Sequence, residues 1–347
     1  MVSFKNDNCP VFFLKLRILA ILDRPGLSFI EADIKILEKY FELDIFYRTD
    51  YPRFRYLILD VIKQLIYRRP DIIYFWFIIP WDTAPIVFLS KLIGIKSVLV
   101  TGGYDIANIP EIDFGLMREP RARSWTRFAL KWADLVLPFS EFSKSEILRL
   151  IPLNHIQVLY PGVNTQTFQP SHSVKQNLAV TVGTISHRIK NKGLDVFAKC
   201  SKLMPEVDFV IIGQIEDAEV GCYLKSLGGD NLYLTNERVP LAELVSWYQK
   251  AKIYVQISWY EGFGLAIAEA MACGCIPVVT NAGSIPEVVG DFGHFATIND
   301  PKSTAEAIHS ALMSTKQQEV RRWIVENYPL ERRETELINA LEKLHSR

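Results

Sequence analysis

The sequence has few cysteines, no excess of either charge and no long hydrophobic run. Its five cysteines are an odd number without a disulfide-framework spacing, which indicates a reducing compartment and buried thiols. Lys plus Arg equals Asp plus Glu at 39 each, and this balance argues against bulk nucleic-acid binding. The most apolar run, residues 72–81, contains Pro80 and is followed by Asp82, whereas a spanning helix needs about 20 apolar residues.

Metal-binding and leader motifs are also missing. The six histidines are scattered, there is no Asp-x-Asp motif, and Cys273–Gly274–Cys275 has no partner cluster of His or Cys elsewhere. Lys15 and Arg17 interrupt the apolar N-terminus, so we expect a first strand at residues 16–22 and no signal peptide. The expected location is the cytoplasm.

Short apolar runs alternate with amphipathic stretches along nearly the whole chain. The first series of predicted strands covers residues 16–22, 43–47, 71–77, 97–101, 135–139 and 157–160. The second covers residues 179–185, 208–213, 231–235, 253–258, 276–280 and 294–298. Apolar strands separated by helices predict parallel sheets covered on both faces, and two series predict two doubly wound domains.

The boundary between the two series lies at residues 161–177, which are polar and rich in turn formers. We therefore predict an N-terminal domain at 1–165 and a C-terminal domain at 171–329. The C-terminal helix at 330–347 is expected to cross back to the first domain. Ligands of such sheets bind at the carboxyl ends of the strands, so the predicted site is the cleft between the domains.

The turn Glu261-Gly262-Phe263-Gly264 separates a predicted buried strand from an Ala-rich helix. Glycines allow a ligand to approach the backbone, and the free amides of the helix start favour phosphate or diphosphate. Glycine kept for packing alone is the alternative. The dinucleotide fingerprint fits less well, because Ile267 stands where its third glycine is required.

Two carboxylates accompany this turn. Glu261 and Glu269 are eight residues apart, or about 12 Å along a continuous helix, too far for an acid and base acting on one bond. We expect each to contact a different part of a long ligand, with Glu269 accepting hydrogen bonds from a sugar hydroxyl pair. The alternatives are a helix-capping Glu261 and a solvated Glu269.

Four motifs in order resemble the GT-B retaining glycosyltransferases of family 4. They are the E-x7-E segment at 261–277, the loop VGTISHRIKNKG at 182–193, the interdomain segment YPGVNTQTFQP at 160–170 and the strand WADLVLPFS at 132–140. The resemblance implies the GT-B fold, an α/β architecture of two Rossmann-like domains whose parallel sheets face across a cleft. It also implies retaining, metal-independent transfer of a sugar from a nucleotide-diphosphate sugar to a glycan, lipid-linked or small-molecule acceptor, without a cofactor.

The resemblance carries residue roles with it. The implied catalytic residues are Glu261, Lys192 and Asp105. The implied donor-binding residues are Arg188, Lys192, Gly262, Phe263, Gly264, Leu265, Glu269 and Val239. The implied acceptor-side residues are Gly26, Gly103 and Asp105, and no metal ligand is implied.

The chain departs from the family pattern at three places. Thr184 stands where the family has Arg, so Arg188 is expected to replace it, with Lys190 and His187 as further loop candidates. Gly26 stands alone where a glycine pair is usual. A glycine replaces the usual His before Asp105, for which turn capping is the alternative.

Residues 118–134 predict a helix with Arg123, Arg127 and Lys131 on one face and aromatic side chains on the other. We favour buried aromatics with a solvated basic face; a peripheral contact of 118–132 with the inner membrane face is left open. For the whole chain, a nucleotide-sugar epimerase or hydrolase and a non-catalytic sugar-nucleotide binding protein are the alternative functions.

Overall fold

The computed structural model describes residues 16–26, 28–51 and 53–346. The expected absence of a signal peptide concerns residues 1–15, which lie outside the described residues. Strands and helices alternate along most of the described chain, and three helices follow the last strand. The helices cover both faces of the apolar strands and so remove them from water.

The first sheet contains five strands within the described residues, all parallel, in the order β2-β1-β3-β4-β5. The strands are β1 (Arg17–Leu22), β2 (Glu42–Tyr47), β3 (Ile72–Trp76), β4 (Lys96–Thr101) and β5 (Leu135–Pro138). The helices are α1 (Ser28–Tyr40), α2 (Phe54–Tyr67), α3 (Pro80–Leu92), α4 (Pro120–Trp132) and α5 (Glu141–Leu150).

The second sheet contains six described strands, also parallel, in the order β11-β10-β9-β6-β7-β8. The strands are β6 (Gln176–Val182), β7 (Asp208–Ile212), β8 (Leu232–Leu234), β9 (Ala251–Gln256), β10 (Ile276–Thr280) and β11 (His294–Ala296). The helices are α6 (Ile189–Lys192), α7 (Leu194–Leu203), α8 (Ala218–Leu227), α9 (Leu241–Lys250), α10 (Leu265–Ala272), α11 (Ile285–Val289), α12 (Pro301–Leu312), α13 (Gln317–Asn327) and α14 (Leu330–His345).

Alternation along the strands of the first sheet divides its core into two layers. Leu19 and Ile21 of β1 pack with apolar side chains of α2, α3 and α4. Ile18 and Ala20 face the opposite way, toward the core that includes α1 and α14. The helices α2, α3 and α4 therefore form an outer layer, and α1 lies on the side of the second domain.

The chain crosses between the sheets twice, and the two crossings pair with each other. The Val163 amide donates to the Tyr328 carbonyl, and the Leu330 amide donates to the Val163 carbonyl, both at 2.9 Å. A Cβ at Gly162 would lie 2.5 Å from the Leu330 Cα, so this glycine lets the crossings meet. Helix α14 then packs against α1, where Arg333 contacts Asp33.

One predicted strand is wrong. Residues 157–160 run beside β5 and exchange backbone hydrogen bonds with it, yet only the isolated bridge between Val136 and Ile156 forms. Strand β5 has four residues and ends at Pro138, which has no N–H to continue a ladder.

The predicted helix at 118–134 is α4, and the favoured burial of its aromatic face is also wrong. Trp125 is 45% exposed and Trp132 is 36% exposed. Arg123, predicted on the solvated basic face, is half-buried, and its guanidinium donates twice to the Met117 carbonyl, at 2.7 and 3.0 Å. The α4 aromatics cannot enter the core because Ala122, Thr126, Ala129 and Leu130 occupy its sheet-facing side.

Candidate active site

The N-terminus of α10 opens toward the cleft without a side-chain cap. Gly264 precedes the helix with φ of +87°, a left-handed conformation that glycine adopts most readily. The next residue, Leu265, is partly exposed and lines the interdomain cavity. Uncapped amides and the helix dipole at this place suit an anionic group.

The first glycine of the turn, expected among the donor-binding residues, contacts the first domain. A Cβ at Gly262 would lie 1.6 Å from the carbonyl oxygen of Gly102, which belongs to the first domain. The Gly262 carbonyl in turn accepts from Ser140 Oγ at 2.8 Å and from Ser143 Oγ at 3.2 Å. Gly262 is thus a contact point between the domains.

Phe263, expected among the donor-binding residues, has a buried side chain. Its ring is 3% exposed and packs against Tyr160 and Tyr328, with centroid distances of 6.1 and 5.3 Å. Its side chain therefore packs the turn against the rings of Tyr160 and Tyr328.

Glu261 is the centre of a buried polar network. Its Oε1 accepts from Lys192 Nζ at 2.6 Å, Ser258 Oγ at 2.8 Å and Gln256 Nε2 at 2.9 Å. Tyr254 Oη donates to the Gln256 amide oxygen at 2.6 Å. No described residue donates to Oε2 of Glu261, and the helix-capping alternative is wrong because no side chain caps α10.

Sequence reasoning missed this network, although its signal is present. Tyr254, Gln256 and Ser258 alternate along and just beyond β9, within the otherwise apolar run that predicts the strand at 253–258. Alternate positions share one face of a strand, so three polar side chains at this spacing predict a polar line at the strand's carboxyl end.

Lys192 ends the short helix α6 and lies beside the cleft. Gly193 follows it with φ of +64°, and a Cβ there would lie 2.3 Å from the Ile257 carbonyl. This close contact fixes the loop against the strand that leads to Glu261. The Lys192 side chain is 36% exposed, so two of its three N–H donors remain for a ligand.

Arg188 lies on the same loop and extends to the first domain. Its guanidinium carbon is 5.6 Å from the ring centroid of Tyr104, a residue that is 41% exposed. Thr184, His187 and Lys190 are exposed, and none of them has a described ion pair. Of the loop cations, Lys192 contacts Glu261, whereas Arg188 spans the cleft.

Glu269 lines an interdomain cavity of about 570 Å³. Its side chain is half-buried, and its carboxylate accepts no hydrogen bond from the described residues. Burial without a partner raises the pKa of Glu269 to about 8. The carboxylate lines a cavity that has room for hydroxyl donors.

The walls of this cavity come from both domains. Val182, Gly213 and Val239 line it on one side, next to Glu269 and Leu265. Across from them stand side chains of α1 and α14. Those side chains are Glu31, Ala32, Lys35, Ile36 and Lys39 of α1, and Leu330 and Glu334 of α14.

The predicted acceptor-side residues lie at the carboxyl ends of the first sheet. The Gly26 carbonyl, at the β1–α1 turn, accepts from an Arg238 guanidinium nitrogen across the cleft. Gly103 has open space at its Cα, since a Cβ there would meet nothing within 4 Å. Both positions are partly exposed.

Asp105 is buried, which differs from its expected contact with a sugar. Its Oδ1 accepts from the amides of Gly102 and Gly103 at 3.3 and 3.0 Å, and its Oδ2 from the Ile78 amide at 3.2 Å. Burial raises the pKa of Asp105, although these amides oppose the rise. The geometry favours the turn-capping alternative, because the carboxylate organises the loops after β3 and β4.

The start of α5 joins the two domains. Ser140 caps this helix by accepting from the Ser143 amide at 3.0 Å. Glu287 of the second domain accepts from the amides of Glu141 and Phe142 at the same helix start. The 132–140 motif therefore brings α5 against the Gly262 turn, a contact that sequence analysis did not anticipate.

Cys273 and Cys275 are free, buried thiols. Cys275 Sγ contacts the Tyr248 carbonyl at 3.0 Å. The described residues contain no group of three His, Cys, Asp or Glu side chains arranged to hold a metal ion. They also contain no helix with the length and apolarity needed to cross a bilayer.

Residues 163–328, just under half of the chain, match the family model for glycosyl transferases group 1. O-antigen chain mannosyltransferase B of Escherichia coli is 29% identical over 221 residues, 55% of this chain and 55% of that protein. D-inositol 3-phosphate glycosyltransferase of Paenarthrobacter aurescens (strain TC1) is 30% identical over 155 residues, 40% of this chain and 38% of that protein. The matches thus span about half or less of these two relatives.

Similarity to solved structures extends over nearly the whole chain, including the part before residue 163. Sucrose-phosphate synthase from Thermosynechococcus elongatus superposes with a TM-score of 0.80 at 15% identity, over 96% of this chain and all of that one. The fold is therefore GT-B, two Rossmann-like domains with parallel sheets facing across a cleft, which confirms the predicted fold class.

Proposed function

We propose that the protein is a glycosyltransferase that moves a sugar from a nucleotide-diphosphate sugar to an acceptor. The observation that carries the proposal is the Glu269 carboxylate, half-buried and without a described hydrogen-bond donor, on the cavity between two Rossmann-like domains. A ribose offers two adjacent hydroxyl donors, and a carboxylate accepts both well. The match of residues 163–328 to glycosyl transferases group 1 supports the same assignment.

The proposed donor extends from Val239 to Lys192. The base lies by Val239 and the ribose at Glu269, both of which line the cavity. The diphosphate lies between the uncapped start of α10 and the loop cations Lys192 and Arg188. Oriented amides and fixed cations stabilise the charge that develops on the leaving diphosphate oxygen.

The sugar is assigned to the side of Glu261. Its Oε1 is occupied by three donors, and Oε2 remains to accept a sugar hydroxyl. The acceptor, a glycan, a lipid-linked sugar or a small molecule, enters from the loops around Gly26 and Gly103. In this arrangement Asp105 is a positioning residue that shapes its loop.

We propose that transfer retains the anomeric configuration and needs neither metal nor cofactor. The leaving diphosphate deprotonates the acceptor on the same face of the sugar, so no separate general base is required. The domains open and close at the paired crossings around Val163 and Leu330. The proposed location is the cytoplasm, with a contact to the inner membrane face through residues 118–132.

A binding panel followed by a transfer assay tests the function. UDP, GDP or ADP should raise the melting temperature, whereas NAD(H) should not, and the matching α-linked donor should give an α-linked product by NMR. A β-linked product would contradict retention. Release of free sugar alone would indicate a hydrolase, and donor binding without turnover would indicate a binding protein.

A further inference from the structure

Helix α4 presents an aromatic row on the outside of the first domain. Trp125, Phe128 and Trp132 stand at spacings of three and four, so they share one face of the helix. Phe128 is half-buried between the two exposed indoles, with centroid distances of 6.2 Å to Trp125 and 6.0 Å to Trp132.

Helix α3 lies beside α4 and contributes a second row. Trp81, Phe88 and Leu92 stand at spacings of seven and four, and they are 38%, 37% and 66% exposed. The Phe88 ring joins the rows, because its centroid is 5.5 Å from that of Trp132 and 5.7 Å from that of Phe128. We call these six side chains the aromatic patch.

Exposed apolar side chains concentrate around this patch. Ten of the 21 large hydrophobic side chains that are exposed within the described residues lie on or directly after α2, α3 and α4. They are Tyr56, Leu59, Ile66, Tyr67, Trp81, Phe88, Leu92, Ile93, Trp125 and Trp132. Exposed apolar side chains gathered on neighbouring helices in this way indicate an interaction site.

The charges on α4 have a single sign. The helix contains Arg121, Arg123, Arg127 and Lys131 and no acidic residue, although the whole chain is neutral. Arg123 is engaged by the Met117 carbonyl, and the other three are exposed. Glu119, directly before the helix, is exposed, whereas Asp134 contacts Lys91 and Asp113 contacts Arg118, so the helix and its two flanks keep an excess of positive charge.

We infer that the aromatic patch docks on an anionic lipid bilayer. Indole rings favour the headgroup level, and nearby Lys and Arg are attracted to acidic lipids. A symmetric dimer through this face would oppose two helices of the same positive charge, which disfavours a second copy as the occupant. A lipid surface accepts both the aromatic rows and the cations beside them.

This inference extends the membrane contact of the proposed function from α4 to the combined α3–α4 surface. Its test measures lipid binding rather than sugar transfer, so either proposal can fail without the other. The patch lies on the outer layer of the first domain, opposite the face that carries α1. A bilayer there leaves the α1 side of the cleft uncovered.

The test is cosedimentation of the full chain with vesicles of phosphatidylcholine alone or with 30% phosphatidylglycerol added. The wild type should bind the anionic vesicles, and brominated lipid should quench its tryptophan fluorescence. Trp125→Ser with Trp132→Ser should weaken binding by at least about tenfold. Arg121→Gln, Arg127→Gln and Lys131→Gln together should do the same, by loss of attraction to the acidic lipid.

The matched control is Leu203→Ser with Tyr223→Ser, which removes two side chains of similar exposure from the second domain. Circular dichroism and an unchanged urea midpoint show that each variant is folded. Absence of binding to anionic vesicles, or equal weakening by the control pair, would overturn the inference. So would a concentration-dependent dimer in sedimentation velocity that the Trp125 and Trp132 substitutions abolish, since it would assign the patch to a second copy.

Discussion

Two cation–carboxylate pairs of equal length occupy different environments in this molecule. Arg333 and Asp33 lie 2.6 Å apart with side-chain exposures of 2% and 0%, and Lys192 and Glu261 lie 2.6 Å apart with exposures of 36% and 11%. The first pair holds α14 to α1, and the second stands at the cleft.

The decisive difference is the number of unused hydrogen-bonding positions. Arg333 donates to both oxygens of Asp33 and to the carbonyls of Leu159 and Tyr160, and Asp33 also accepts from Tyr74. Lys192 keeps two N–H donors and Glu261 keeps Oε2. A saturated pair serves structure, whereas a pair with free positions is available to a ligand.

The largest effect is expected from breaking the saturated pair. Arg333→Met leaves the buried Asp33 carboxylate unpaired, so it should lower the free energy of unfolding by about 3–5 kcal/mol in urea denaturation. Combining Arg333→Met with Asp33→Leu should recover much of this loss, because no buried charge remains. A loss below about 1 kcal/mol in the single variant would show that the pair is not a structural lock.

The open pair should respond in catalysis instead. Lys192→Ala should reduce turnover by about 10²–10³, as expected for one electrostatic stabiliser of a leaving group, with a smaller loss of unfolding free energy than Arg333→Met because Gln256 and Ser258 still donate to Glu261. Lys190→Ala is the matched control, since Lys190 is exposed on the same loop and should leave turnover unchanged. Full turnover in the folded Lys192 variant would remove this residue from the leaving group.

The strands of the fold are predictable from the sequence, whereas the saturated Arg333–Asp33 pair is not. Apolar strands such as β3 and β10 are recognisable because every position is buried, and the two series imply two sheets. The Asp33–Arg333 pair joins residues 300 positions apart, and no local pattern connects them. Long-range pairing of this kind depends on tertiary packing and not on periodicity.

The site shows the same limit at closer range. Glu269 was predicted from its apolar neighbours, and it does line the cavity. Phe263 and Gly262 stand in the same motif, yet they pack against the other domain or against buried aromatic rings. A sequence motif indicates that the residues of a turn are restricted. It does not show whether a ligand or packing against a neighbouring domain imposes the restriction.

A third prediction concerns the unpartnered carboxylate. Glu269→Gln should weaken nucleotide binding by about 1.5–3 kcal/mol, the size of a hydrogen bond to a charged group. The pKa of Glu269 is about 8 in the free protein, and ribose hydroxyls favour its charged form. Binding near neutral pH should therefore release protons, and affinity should rise with pH up to about 8, as calorimetry in two buffers would measure.

The pH dependence of the stability of the ligand-free protein is the control for this predicted pH dependence of binding. Because the pKa is raised above the unfolded value of about 4.3, ionisation of Glu269 disfavours the folded state. Its contribution to stability should fall as pH rises from about 4.3 to about 8, and Glu269→Gln should lack this dependence. Equal affinity of wild type for a nucleotide and its 2′,3′-dideoxy analogue would contradict the ribose assignment.

The smallest effect is expected for Arg188, whose interactions are intermediate between those of the saturated pair and those of the open pair. It has no described carboxylate partner, and it contacts Tyr104 of the opposite domain through the face of the ring, at 5.6 Å. A contact between a cation and an exposed aromatic face is worth about 0.5–1 kcal/mol, so a diphosphate can compete for the guanidinium. We expect Arg188→Ala to weaken nucleoside-diphosphate binding by about tenfold and to leave nucleoside-monophosphate binding nearly unchanged.

A substitution at Thr184 can restore the charge lost in Arg188→Ala, and so distinguishes a role of the charge from a role of the Arg188 contact. Thr184→Arg in the Arg188→Ala background places a cation at the position where the resembled family has one, and it should restore most of the diphosphate affinity. Tyr104→Phe keeps the ring face and should bind diphosphate like the wild type, whereas Tyr104→Ala should lose a few-fold, because Arg188 is then no longer held at the cleft. If Arg188→Ala weakens mono- and diphosphate equally, or if Thr184→Arg fails to rescue while both variants remain folded, Arg188 is a domain contact only. Lys192 and the start of α10 would then hold the diphosphate without it.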